Sequence, residues 1–149
     1  MIYLAADHRG FKLKEKIKKY LKKLGFQFED LGNQKFDPND DYSDFALAAA
    51  KKVAANPEEN RGILFCGFGV GVDIVANKID DVRSALVFNE KGARQSRNDD
   101  NANVLSIAAD YLKPGLTKKI IKIWLTAPYL GREKYQRRLG DIEQIEKTN

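Results

Sequence analysis

The chain has 149 residues, 43% of them hydrophobic and 10% aromatic, enough to close one apolar core unaided. Its formal charge of +5 raises nucleic acid as a partner, but no zinc-finger or RNA-binding signature is present and no aromatics are interleaved as a stacking surface, so a nucleic-acid role is set aside. No apolar run approaches the roughly 18 residues of a membrane span, no basic segment precedes the first apolar one, and a single cysteine forms no intrachain disulfide; a cytoplasmic protein is expected.

Residues 2–6 are a short apolar run leading through Asp7-His8-Arg9-Gly10 into a lysine-rich helical pattern, which reads as buried strand, loop and helix. Around Phe11, Leu13, Ile17, Tyr20, Leu21 and Leu24 sit Lys12, Lys14, Lys16, Lys18, Lys19, Lys22 and Lys23, the pattern of an amphipathic helix with a solvated basic face. A second strand is expected at 26–31, a polar loop through Pro38 and Asp41, and a helix over about 42–54. Residues 62–65 form a third strand, and the turn at 66–71 opens a helix reaching about Lys78. Strands at 83–88 and 104–108 flank a helix around 91–97, and two helices close the chain, one from near Pro114 and one from about Glu133 to Glu146. This alternation predicts a single α/β domain over 1–149: a three-layer Rossmann-like sandwich with a five-stranded parallel sheet and a C-terminal helix. Open parallel sheets bind ligands outside the carboxyl ends of their strands, where Asp7, His8, Cys66 and the adjoining glycines fall.

Gly67, Gly69 and Gly71 follow a strand and precede a helix, so their N–H groups can converge on an oxyanion or phosphate; the structural alternative is a tight turn without a ligand. The third glycine comes one residue early for a dinucleotide fingerprint and no P-loop lysine follows, so no nicotinamide cofactor or nucleotide hydrolysis is expected. Cys66, between strand end and helix start, is placed to act as a base if it is not an inert core thiol. Asp7 and His8 supply a carboxylate and the only imidazole, for proton handling or as a loop cap. One His and one Cys do not assemble a zinc site, and no Gly-x-Ser-x-Gly elbow is present, so no metal and no acyl transfer are expected. Lys134 and Arg138 share a helix face and are spaced to clamp a phosphate, with a solvated surface as the alternative.

Taken together, Ala6-Asp7-His8-Arg9-Gly10-Phe11, Asp41-Tyr42, Cys66-Gly67-Phe68-Gly69-Val70-Gly71, Ile74-Val75-Ala76-Asn77-Lys78, Ala102-Asn103-Val104-Leu105 and Gln136-Arg137-Arg138 resemble the ribose-5-phosphate isomerase B family, which includes galactose-6-phosphate isomerase subunits. The resemblance covers nearly the whole chain. It implies a cofactor-free aldose-ketose isomerase acting on a sugar phosphate, with Cys66 as the base between C1 and C2 and the turn over Gly67, Phe68, Gly69, Val70 and Gly71 on the enediolate oxygens. It also implies that Asp7 assists at the sugar ring, that His8 and Tyr42 contact the substrate, and that a homodimer or dimer of dimers shares its active sites between subunits.

Several positions depart from the family pattern. Phe68 replaces a threonine, which would narrow the pocket and remove a hydroxyl. Asp99 and Asp100 replace the His-Asn pair that opens the ring; an acid with a raised pKa still donates a proton, but two acids repel phosphate. Lys134 replaces the first phosphate-binding arginine, and Arg138 matches the second. The expected site is therefore Cys66, Asp7 and Asp99 for catalysis, with His8, Tyr42, residues 67–71, Asp100, Lys134 and Arg138 for binding. Slow turnover of ribose 5-phosphate, action on another sugar, and loss of catalysis with retained binding all stay open at this stage.

Overall fold

The computed structural model describes residues 1–149. In chain order it contains β1 (Ile2–Ala6), α1 (Phe11–Lys23), β2 (Phe28–Asp30), α2 (Tyr42–Ala54), β3 (Arg61–Cys66), α3 (Val70–Ala76), β4 (Ser84–Leu86), α4 (Glu90–Asn98), β5 (Val104–Ala108), α5 (Pro114–Thr126) and α6 (Glu133–Thr148). All strand pairs are parallel and the sheet order is β2-β1-β3-β5-β4. No helix is long and apolar enough to cross a membrane.

Strand residues alternate between two buried faces, which is why β1, β3 and β5 read as continuous apolar runs. Leu4, Ile63, Phe65, Leu105 and Ile107 pack with Leu13, Ile17 and Leu21 of α1 and Ile120, Ile121 and Trp124 of α5. Ala5, Leu64, Cys66 and Val104 face Ala46, Ala49, Ala50 and Val53 of α2 and Val72 and Ala76 of α3. Alanines spaced three and four apart on α2 let that helix lie close to the sheet. Each fully buried Ile or Leu contributes about 1.5–3 kcal/mol, so these two layers dominate folding.

The expected elements are present; β2, α3 and β4 are shorter than expected, and β3, α4 and α6 run a residue or two longer. β2 pairs only with β1, from Ile2 opposite Phe28 to Leu4 opposite Asp30, and needs just three residues. α3 stops at Ala76 rather than Lys78 because the Asn77 side chain turns to the backbone of Ser84, donating to its oxygen at 3.1 Å and accepting from its nitrogen at 2.8 Å.

The solvated face expected for all the α1 lysines is wrong at one position. Lys14 is fully buried, and its Nζ donates to Asp30 Oδ1 at 2.6 Å and to the Asn33 carbonyl at 2.7 Å. Lys18 reaches the other oxygen of Asp30 at 2.6 Å. A charge is tolerated inside only when paired and hydrogen-bonded, and both conditions hold here. Although burial alone would raise Asp30, the hydrogen bonds from Lys14 and Lys18 hold its carboxyl below the usual carboxylate value.

Candidate active site

The chain leaves β1 for β2 on one side of it and reaches β3 on the other, so the carboxyl ends of β1 and β3 part at a topological switch point. Asp7 follows β1 and Cys66 ends β3. Tyr3 and Ala5 share the sheet face of Leu64 and Cys66, and the same alternation carries Asp7 toward that face. Asp7 and Cys66, together with Arg9, Tyr42, Gly67 and Phe68, line a cleft of about 270 Å³.

Cys66 is 5% exposed, and its Sγ accepts the Gly69 N–H at 3.1 Å. A donor aimed at sulfur stabilises negative charge there. Gly69 makes this bond from a left-handed backbone, φ 75°, and any side chain on it would collide with Leu86. The N–H groups of Gly67, Phe68, Val70 and Gly71 find no acceptor within the chain, so the turn presents free donors at the cleft. Gly69 is not one of them, because its N–H goes to Cys66 Sγ. The Tyr42 ring lies against Gly71, where a Cβ would sit 2.7 Å from it, so α2 closes one wall.

Asp7 is 4% exposed, and its Oδ1 accepts the N–H groups of Arg9 and Gly10, each at 3.0 Å. Burial raises its carboxyl above the usual value and the Gly10 N–H offsets this in part. His8 stands beside the cleft, with Nδ1 2.7 Å from Asp40 Oδ1 and its backbone N–H 2.9 Å from the same oxygen. Asn33 Nδ2 donates to the other Asp40 oxygen at 2.8 Å.

Phe68 does not plug the cleft as its size suggests. It is 48% exposed at the rim, tilted against Tyr111 with ring centroids 5.6 Å apart, and the Arg9 guanidinium lies 4.3 Å from its ring centre. Arg9 also pairs with Asp110. Sequence reasoning gave no role to Asp40, Arg9 or Asp110. Their partners lie 32, 58 and 101 positions away along the chain, as with Asp40 to His8, Arg9 to Gly67 and Asp110 to Arg9.

Within one chain the remaining expected residues lie elsewhere. Asp99 and Asp100 end α4 and precede β5, at the amino end of the sheet. β5 runs in register with β3, from Val104 opposite Gly62 to Ala108 opposite Cys66, so roughly four residues of strand, about 13 Å, separate the two ends. Lys134 and Arg138 lie on α6, and Arg138 is close enough to Asp100 to draw its carboxyl down. Burial nonetheless raises Asp100, and Asp99 beside it raises it further. Asp100 also lines a larger groove of about 460 Å³ with Arg83, Ser96, Ile142 and Ile145. No three His, Cys, Asp or Glu side chains gather as a metal-binding group.

The model of the Ribose/Galactose Isomerase family matches residues 2–142. The probable ribose-5-phosphate isomerase B of Mycoplasma genitalium is 44% identical over 146 residues, covering 98% of this chain and 95% of that one. Ribose-5-phosphate isomerase B of Mycobacterium tuberculosis is 33% identical over 148 residues, covering 99% and 91%. Among solved structures, the Mycoplasma genitalium ribose-5-phosphate isomerase B with bound ribulose-5-phosphate superposes with a TM-score of 0.96 at 43% identity, covering 99% of this chain and 97% of that one. The Clostridium thermocellum ribose-5-phosphate isomerase B superposes with a TM-score of 0.93 at 36% identity, covering 99% and 97%.

Proposed function

This chain belongs to the ribose/galactose isomerase family, and we propose that it interconverts ribose 5-phosphate and ribulose 5-phosphate, with Cys66 as the base. In the open-chain aldose the Cys66 thiolate removes the C2 proton, the electron pair of that C–H bond forms the C1–C2 double bond, and the carbonyl oxygen takes the negative charge. The C2 hydroxyl proton passes to the C1 oxygen, and return of the proton from Cys66 to C1 gives the ketose and restores the thiolate. The free N–H groups of Gly67, Phe68 and Gly71 stabilise the enediolate oxygens. Asp7 assists at the ring oxygen and hydroxyls, and His8 holds the phosphate.

The observation that carries this reading is the Cys66 turn itself: a thiol receiving the Gly69 N–H, beside a buried carboxyl and four unengaged backbone donors. A structural turn would have no need to leave those donors free. The separation of Asp99, Asp100, Lys134 and Arg138 from Cys66 supports a second proposal, a homodimer in which the amino-end group of one chain completes the carboxyl-end cleft of the other. Apolar side chains exposed at both ends, Val70 and Ile74 beside the cleft and Ile142 and Ile145 on α6, suit burial between copies.

The test is ketose formation from ribose 5-phosphate, with Cys66→Ala beside the unaltered protein. Turnover that disappears in the variant while ribose 5-phosphate still binds supports the assignment. Equal rates would remove Cys66 from the chemistry. No turnover by either protein would direct the assay to other aldose phosphates, where Phe68 and the paired acids differ from the family pattern.

A further inference from the structure

Loops from three neighbouring strands meet over Gly67. The carbonyl of Gly67 accepts the Asp110 N–H at 3.0 Å, which ties the loop after β3 to the loop after β5. From the loop after β1, Arg9 lays its guanidinium on the open side of Gly67, so close that a Cβ there would overlap both Cζ and Nε. Arg9 Nη2 donates to the Asp110 carboxylate and the Phe68 ring covers the guanidinium. These contacts hold a long, flexible side chain in one place beside the turn.

A guanidinium carries five N–H donors, and Asp110 engages only Nη2. Nε and Nη1 have no acceptor within the chain, and Arg9 lines the same cleft as Cys66 and Asp7. A positive charge with free donors therefore lies against the turn where negative charge develops during proton transfer. Resting on the isomerase reading above, we propose that Arg9 is a catalytic residue that contacts the enediolate oxygens, donating to them alongside the turn's backbone. Asp110 and Phe68 are its positioning partners. Gly67 is required here less for its backbone than for its missing side chain: it has no positive φ, and the atoms a methyl would meet belong to Arg9.

The experiment compares Arg9→Met, Arg9→Lys and Gly67→Ala with the unaltered protein in steady-state turnover of ribose 5-phosphate. It also measures binding of two probes: a five-carbon phosphohydroxamate that mimics the enediolate, and ribitol 5-phosphate, which lacks it. Arg9→Met is expected to lower kcat by about a hundredfold, the loss typical of one removed oxyanion donor, and to weaken hydroxamate binding by a similar factor while ribitol 5-phosphate binds as before. Gly67→Ala should reproduce that pattern by displacing the guanidinium, and Arg9→Lys should recover part of the rate because the charge stays and the fork is lost. Should Arg9→Met fail to fold, the other two variants carry the comparison. Unchanged kcat and hydroxamate affinity in the variants, or equal loss of both probes, would overturn the role of Arg9 and leave the isomerase reading standing. If the unaltered protein neither turns over ribose 5-phosphate nor binds the hydroxamate, both proposals fall together.

Discussion

A single oxygen of Asp40 fixes His8 twice: Oδ1 accepts its backbone N–H at 2.9 Å and lies 2.7 Å from its ring Nδ1. An ionised carboxylate only accepts, so Nδ1 carries the hydrogen and Nε2 is left for a ligand. Burial opposes the charge on Asp40, but hydrogen bonds from Asn33 and His8 outweigh it and hold the carboxyl below its usual value. Under the proposed role of His8 on the phosphate, Asp40→Ala should therefore raise KM for ribose 5-phosphate by about tenfold while kcat stays nearly constant. A fall in kcat at constant KM would move His8 into the chemistry.

Asp7 has the opposite electrostatic character. Its folded-state pKa is raised, chiefly by burial, so the folded chain keeps this proton to higher pH than the unfolded chain does. Stability from this group is complete below the ordinary value of 3.8 and declines as pH rises through the folded value. Asp7→Asn keeps an oxygen for the N–H groups of Arg9 and Gly10 and loses the charge. The variant should melt higher than the unaltered protein at pH 7, with the difference vanishing below pH 3.8, and should lose isomerase activity. A lower melting temperature at pH 7 would mean that the carboxylate's bonds outweigh its burial.

If the two half-sites meet across a dimer, two inactive variants should rescue one another. Cys66→Ala disables the carboxyl-end half and Arg138→Gln the amino-end half. In a mixed dimer one of the two sites joins the intact half of each chain. Equal amounts unfolded and refolded together should regain about a quarter of normal activity, since half the dimers are mixed and each has one working site. Activity no higher than that of the separate variants would place both groups in one chain's site or remove Arg138 from it.

Lys14 links stability to the site from a distance. It holds the Asn33 carbonyl, and the Asn33 side chain in turn holds Asp40. Lys14→Met should cost about 3 kcal/mol in urea unfolding, the low end for a broken buried pair, because Lys18 still faces Asp30. It should also raise KM through His8. A stability loss with no change in KM would show that the loop keeps its shape without the lysine.

The sheet was legible in the sequence because β1, β3 and β5 are buried on both faces, and only apolar runs satisfy that condition. The candidate site was legible as a placement where it follows the chain directly, as with Asp7 after β1 and Cys66 with its glycines at the end of β3. Lys14 was misread because helical spacing alone cannot reveal a carboxylate arriving from β2. Asp40 and Arg9 were passed over for a related reason: each acquires its role through a contact made between distant segments, and neither residue type is distinctive in a chain with many charges.

The C-terminal helix has a consequence for the protein in dilute solution. Of the 16 residues of α6, only Tyr135 is buried, although the helix carries Lys134 and Arg138. Under the shared-site reading those cations reach a substrate only when two chains meet, so activity obeys mass action. Specific activity should fall as the protein is diluted below the dissociation constant of the pair, while the helical circular dichroism of each chain persists. The amount of protein in a compartment then governs the rate per molecule as well as the number of molecules at work.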